Sequence, residues 1–71
     1  MKYAVIDQTN GDWFEDVFDS ESAAISRADY EWGIMASSDK AKRESYYVAS
    51  CELTEDGCVD FDTIDVIKEY K

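Results

Sequence analysis

The chain contains no histidine and no proline, only three glycines and two cysteines, and seven basic residues against seventeen acidic ones. The lack of histidine removes the commonest general base, the usual partner of a nucleophilic serine or cysteine, and the commonest transition-metal ligand. The three glycines are well separated, so there is no glycine-rich phosphate-binding loop. The sequence therefore predicts a protein that is not an enzyme and holds no cofactor.

The two cysteines do not have the spacing of a zinc site. Six residues separate Cys51 from Cys58, whereas paired zinc ligands are about two to four residues apart and come with a second pair. A disulfide would need a diagonal pairing with poor geometry across a predicted hairpin. We expect two free thiols, at least one of which acts as a small hydrophobic core residue.

Two stretches suggest calcium, the acidic run over residues 55–65 and the loop that starts at Asp7. A count from Asp60 places Asp65 sixth and Lys71 twelfth, where an EF-hand loop requires glycine and glutamate. The loop that starts at Asp7 fails as well, because Phe18 occupies its twelfth place. The sequence predicts no metal site.

The net charge of −10 bears most directly on possible partners. DNA and RNA require a basic footprint, and an anionic membrane repels such a chain, so we expect neither as a direct partner. A basic protein partner is compatible with this charge, although acidity also serves solubility alone. No apolar run could cross a bilayer and no secretory signal is visible, which leads us to expect a cytoplasmic protein.

Ser20–Ala36 has the clearest pattern in the chain, that of an amphipathic helix. Asp19 or Ser20 can cap its N-terminus, and Glu21 falls where the helix dipole favours a negative charge. Gly33 interrupts the pattern, so the helix either frays after Trp32 or makes a close backbone contact there. Small and large apolar residues recur at three- and four-residue steps on one face: Ala24, Ile25, Ala28, Trp32, Met35 and Ala36.

A second stripe of the same helix contains Ala23, Arg27, Tyr30 and Ile34. One interpretation is that it flanks the core and is partly covered by a neighbouring loop. The other is that it is exposed and binds a partner, because tyrosine and arginine are enriched at binding hot spots.

A hairpin precedes the helix. Lys2–Gln8 and Trp13–Phe18 have the composition of strands, and Asn10-Gly11 is typical of a type I′ turn. One face of this hairpin holds Tyr3, Val5, Phe14 and Phe18, and the other holds Ala4, Ile6, Trp13 and Val17. Both faces are partly apolar, so periodicity does not decide which one the helix covers.

Shorter elements follow the helix. Ser38 can cap a helical turn that ends near Arg43, and Tyr46–Leu53 has the pattern of a third strand. Residues 58–61 can form a short fourth strand, and a last helix is expected over residues 64–70. The prediction is a single α+β domain over residues 1–71 with the order β-β-α-β-(β)-α. A right-handed crossover gives an antiparallel sheet of order 2-1-3(-4) with the long helix on one face.

Lys40, Lys42 and Arg43, followed by Tyr46 and Tyr47, combine the residue types of a nucleic-acid site. Three basic residues in a chain with a net charge of −10 make a poor nucleic-acid site, and we interpret these residues as a solvated helix end.

The chain resembles short uncharacterised proteins of bacterial mobile elements and phage-like regions. The resemblance lies in the Lys2-Tyr3 opening, the capped helix with Trp32, the basic residues leading into Tyr46-Tyr47-Val48, and the closing stretch Ile67-Lys68-Glu69-Tyr70-Lys71. It implies a small cytoplasmic accessory protein and supplies no activity.

Two functional hypotheses follow. In the first, the chain is a non-enzymatic interaction module that binds a protein partner, or a second copy of itself, through its acidic surface and a strip with Arg27, Tyr30, Ile34 and Trp13. In the second, it mimics nucleic acid, and Asp56, Asp60, Asp62 and Asp65 bind the basic groove of a DNA- or RNA-handling protein. The two differ in salt response, because screening weakens mimicry steeply and an apolar contact little.

Overall fold

The computed structural model describes all 71 residues as four β-strands and two α-helices. These are β1 (Lys2–Thr9), β2 (Asp12–Phe18), α1 (Glu21–Ile34), α2 (Ser37–Lys42), β3 (Arg43–Cys51) and β4 (Asp65–Glu69). The strands form one antiparallel sheet in the order β2-β1-β3-β4. The α+β class and the sheet order are therefore confirmed.

The hairpin of β1 and β2 forms as the Asn-Gly dipeptide predicts. Asn10 has a φ of 54° and Gly11 a φ of 82°, the pair of positive angles that a type I′ turn requires. Thr9 consequently faces Asp12. This turn sets the register of the whole hairpin and hence which side chains share a face.

The α1 helix begins where its capping residue predicts. The Ser20 hydroxyl oxygen accepts a hydrogen bond from the Ala23 amide at 3.2 Å. Ala24 and Ala28 are fully buried, and their small side chains let the helix approach the sheet closely. Gly33 lies inside the helix, which ends at Ile34. Ala36 is exposed and outside the helix, so its predicted place on the apolar face is wrong.

The sheet separates two apolar clusters. On the helix side the buried residues are Val5, Ala24, Ala28, Tyr46 and Val48. On the opposite side they are Ala4, Ile6, Cys51 and Val59, and Leu53 and Ile64 pack against them. The helix therefore covers the face that carries Val5, and the segment 52–64 covers the face that carries Ile6.

The C-terminal helix predicted over residues 64–70 is wrong. Asp65–Glu69 is β4, which pairs antiparallel with β3, and the Tyr70 amide donates to the Tyr46 carbonyl at 2.9 Å. The three-residue spacing of Ile64, Ile67 and Tyr70 suggested a helix. A strand forms instead, because the outer edge of β3 supplies backbone partners and β-branched residues fit a pleated surface.

Three smaller predictions also need correction. The strand expected over residues 58–61 is reduced to a single bridge between Leu53 and Val59. β3 runs from Arg43 to Cys51 rather than over 46–53. Ser38 does not cap α2, because the helix begins one residue earlier, at Ser37, with Ala36 at the N-cap position and no side-chain cap.

Candidate functional site

The second stripe of α1 lies in solvent. Tyr30 is 64% exposed and Ile34 is 68% exposed, and Arg27 forms a 2.7 Å salt bridge with Glu31 one turn further along. No loop covers these side chains. The interpretation that the stripe is partly covered is therefore wrong.

Helix geometry places Arg27 and Ile34 of this stripe on the flank of α1 toward β2, whereas Tyr30 lies about 160° round the helix from the buried Ala28 and points away from the sheet. On the opposite flank of α1, Asp29 accepts hydrogen bonds from Lys68 of β4 and from the Tyr70 hydroxyl. Arg27 and Ile34 project about 160° and about 140° away from Asp29 around the helix. They therefore lie on the side of the helix that faces the β2 edge of the sheet.

The β2 strand is exposed on both of its faces. Phe14 is 66% exposed and shares the helix side of the sheet with Phe18, whereas Trp13 is 56% exposed and shares the other side with Val17. The Trp13 ring packs against Phe61 with 5.1 Å between ring centroids. Trp13 thus projects from β2 on the side of the sheet that α1 does not cover.

Three carboxylates of β2 have no cationic partner. Asp12, Glu15 and Asp16 take part in none of the salt bridges of the chain. One oxygen of Glu15, Oε1, accepts a hydrogen bond from the Val59 amide at 3.3 Å. The other, Oε2, is buried and accepts none. The β2 strand therefore combines uncompensated negative charge with large exposed apolar side chains.

The four aspartates of the second hypothesis are spread over the segment between β3 and β4 and the start of β4. Asp56, Asp62 and Asp65 are exposed, and Asp60 is half-buried. The Asp60 carboxylate accepts a hydrogen bond from the Asp62 amide at 3.1 Å, which closes a local turn. No group of three or more potential metal-ligating side chains in the chain is placed to hold an ion.

The basic residues after α1 are mostly engaged within the chain. Arg43 contacts Asp7 at 3.2 Å, Lys42 lies 3.9 Å from Asp39, and the Lys40 ammonium sits 5.0 Å from the centroid of the Trp32 ring. Lys40 and Arg43 line a cleft of about 320 Å³. Its aromatic walls, Trp32, Tyr46 and Tyr70, pack on one another with centroid distances of 5.2–5.8 Å. The cleft is thus the margin of the helix-side core.

Two ionisable contacts tie α1 to the sheet. Hydrogen bonds from Tyr70 and Lys68 hold the pKa of Asp29 below its ordinary value. Burial raises the pKa of Tyr46 to about 12 and also raises the pKa of Tyr70, to which the bond with Asp29 contributes. These shifts favour the neutral phenols and the charged carboxylate in the folded chain.

The two thiols are free and differ in environment. Cys51 is buried, and burial with help from the charges of Glu15 and Glu52 raises its pKa. Cys58 is exposed. The prediction of two free thiols, one of them in the core, is confirmed.

Sequence reasoning identified Trp13 but missed its neighbours Asp12, Phe14, Glu15 and Asp16. A signal was present, since no lysine or arginine occurs between Lys2 and Arg27.

Comparisons with protein-family models, curated proteins and solved structures found no match for this chain. Neither helix has the length and apolar character needed to cross a bilayer.

Proposed function

We propose that this chain is a non-enzymatic protein-interaction module that binds a basic protein segment at the β2 border. We define the β2 border as Asp12–Phe18 together with Ile34 and Phe61 beside it. The observation that carries the proposal is the coincidence, on one strand, of exposed Trp13 and Phe14 with three carboxylates that lack a cationic partner.

The composition of this border sets the chemistry of the partner. Aromatic side chains supply large contact areas and are enriched at binding hot spots. Unpaired carboxylates attract lysine and arginine and speed the encounter. A partner that carries both apolar and basic side chains would bury the former on Trp13 and Phe14 and pair the latter with Asp12 or Asp16.

The test is selection from a random peptide library displayed on phage, with the intact chain immobilised. Phe14→Ser removes an exposed aromatic of the β2 border, and Val66→Ser removes an exposed apolar side chain of β4 as the matched control. The wild-type chain and Val66→Ser should enrich peptides that contain lysine or arginine with apolar residues, and Phe14→Ser should not. Failure to enrich such peptides, or equal enrichment by all three proteins, would overturn the proposal.

The salt dependence of binding by the same peptides distinguishes the competing hypothesis of nucleic-acid mimicry from binding at the β2 border. Its support is that Asp56, Asp62 and Asp65 are exposed and form no salt bridge. If mimicry operates, binding should collapse at high salt and on replacement of these aspartates by asparagine. If the β2 border operates, the apolar part of the contact should persist in salt. By the resemblance described above, the natural partner would belong to a bacterial host or mobile element.

A further inference from the structure

The β2 strand forms one edge of the sheet, and three of its seven residues have backbone N–H and C=O groups without a partner. The tight turn makes Thr9 and Asp12 a hydrogen-bonded pair, so the residues of β2 that bond to β1 alternate from Asp12 to Phe18. The N–H and C=O groups of Trp13, Glu15 and Val17 therefore point away from the sheet. No strand lies beyond β2, and no backbone hydrogen bond outside the helices and strands involves these residues.

The other edge of the sheet has protection that β2 lacks. β4 is five residues long, its pairing with β3 shifts register between Val48 and Ala49, and it contains Lys68. Short length, bulges and lysine are among the features that keep edge strands from pairing with other chains, and so are charged side chains, which β2 has in Asp12, Glu15 and Asp16. β2 is seven residues long, pairs with β1 in unbroken register and contains no lysine or proline.

The side chains of β2 specify what can pair with it. Asp12, Phe14 and Asp16 lie on the helix side of the sheet, and Trp13, Glu15 and Val17 lie on the other. The side chains of an added strand would stand about 5 Å from these, close enough for ion pairs and aromatic contacts. The helix side of β2 thus presents the free carboxylates of Asp12 and Asp16 beside Phe14. On the other side the Glu15 carboxylate is turned to the Val59 amide, and the exposed side chains are Trp13 and Val17.

A second copy of this chain does not fit that edge. An antiparallel pair of β2 strands centred on Phe14 would set Asp12 opposite Asp16 of the other copy, and one centred on Glu15 would set the two Glu15 side chains opposite each other, on two chains that each carry a charge of −10. Like charges opposite one another destabilise a pair of strands. Charge complementarity therefore selects a basic segment as the occupant.

We propose that β2 binds its partner by strand addition: an extended segment that combines lysine or arginine with β-branched or aromatic residues becomes a fifth strand of the sheet. This inference rests on the proposed function and adds the binding mode. The outward N–H and C=O groups of Trp13, Glu15 and Val17 supply the affinity, and the flanking side chains supply the preference for basic sequence.

The probe is a synthetic peptide of alternating lysine and valine, titrated into the isotopically labelled chain. The amides of Trp13, Glu15 and Val17 should shift most and gain protection from hydrogen exchange. An alternating glutamate–valine peptide should not bind. The lysine–valine peptide with every second amide N-methylated keeps its side chains and loses one edge of backbone donors, so its affinity should fall about tenfold or more.

A proline at position 17 tests the same bond from the side of this chain. Val17→Pro removes an outward N–H, a position where an edge strand tolerates proline, whereas Val17→Ala shortens the side chain and keeps the amide. We expect the affinity of the lysine–valine peptide for Val17→Pro to be at least about fivefold lower than for Val17→Ala. If Val17→Pro does not fold, the N-methylated peptide on the wild-type chain still decides the question.

The outcomes separate the binding mode from the function. Binding that is insensitive to N-methylation, with shifts centred on Tyr30 and Ile34, would overturn strand addition and leave the interaction module standing. Failure of both the lysine–valine peptide and the phage library would overturn both. Concentration-dependent dimerisation that protects the β2 amides would replace the basic segment by a second copy and overturn the assignment of the occupant.

Discussion

The two faces of the sheet bury their apolar residues by different means. On the helix side, Ala24 and Ala28 bring a regular helix close to Val5 and Val48, and aromatic rings fill the margin. On the other side, the segment 52–64 covers Ile6 with a single bridge, a few turns and Val59. A regular element needs small contact residues to approach a sheet, whereas an irregular one follows the surface but leaves exposed side chains such as Trp13 at the edge.

The largest expected effect lies on the face of the sheet that the segment 52–64 covers, which we call the irregular face. Ile6→Ala removes a side chain that is 1% exposed and should lower the free energy of unfolding by about 2–5 kcal/mol, measured by urea denaturation. Val66→Ala, at an exposed site of β4, is the control and should stay within about 0.5 kcal/mol. A small loss for Ile6→Ala would mean that residues 52–64 do not seal this face.

The next effect tests the close approach on the helix side. Ala28→Leu adds a bulky side chain at a fully buried contact and should cost about 1–3 kcal/mol, because the helix or the sheet must shift. Ser26→Leu, at an exposed position of α1, is the matched control. Equal stability of the two variants in urea would show that α1 is not held tightly against the sheet.

Alkaline unfolding should depend on the helix side as well. Tyr46 has a folded-state pKa of about 12 against an ordinary value of 10.0. Its contribution to the free energy of unfolding is therefore fully present below about pH 10 and is lost as the pH rises toward 12. The free energy of unfolding should fall between about pH 10 and about pH 12, and Tyr46→Phe should reduce the slope of this fall against pH. Tyr30→Phe changes an exposed ring and should leave the slope as it is; a slope unchanged in Tyr46→Phe would contradict this account.

The smallest effect is chemical and leaves stability untouched. A thiol reagent should modify Cys58 at once and Cys51 only after unfolding or opening of the segment that covers it, because Cys51 is 2% exposed and its pKa is raised. Cys58→Ser should abolish the fast phase. Fast modification of both thiols in the native chain would show that the irregular face opens readily, which would sharpen the contrast between the faces.

Local signals predicted much of this architecture. Asn10-Gly11 determined the hairpin register, Ser20 determined where α1 begins, and the handedness of the crossover determined the sheet order. The segment 64–70 was misjudged, because its spacing suits a helix while its backbone finds partners along β3, which no local pattern reveals. For the candidate site, Trp13 and the stripe with Tyr30 and Ile34 were recognised, but the carboxylates of β2 were not.

The amino-acid sequence by itself determined the charge of −10, the absence of imidazole chemistry, the tight turn and the amphipathic helix, because each depends on residues close together in the chain. Only the tertiary structure decided which face the helix covers, that residues 65–69 are a strand, and that β2 lies at an open edge with its carboxylates unpaired. Those outcomes depend on which distant segments compete for the same backbone groups and apolar surface, and that competition is settled only when the whole sheet is assembled.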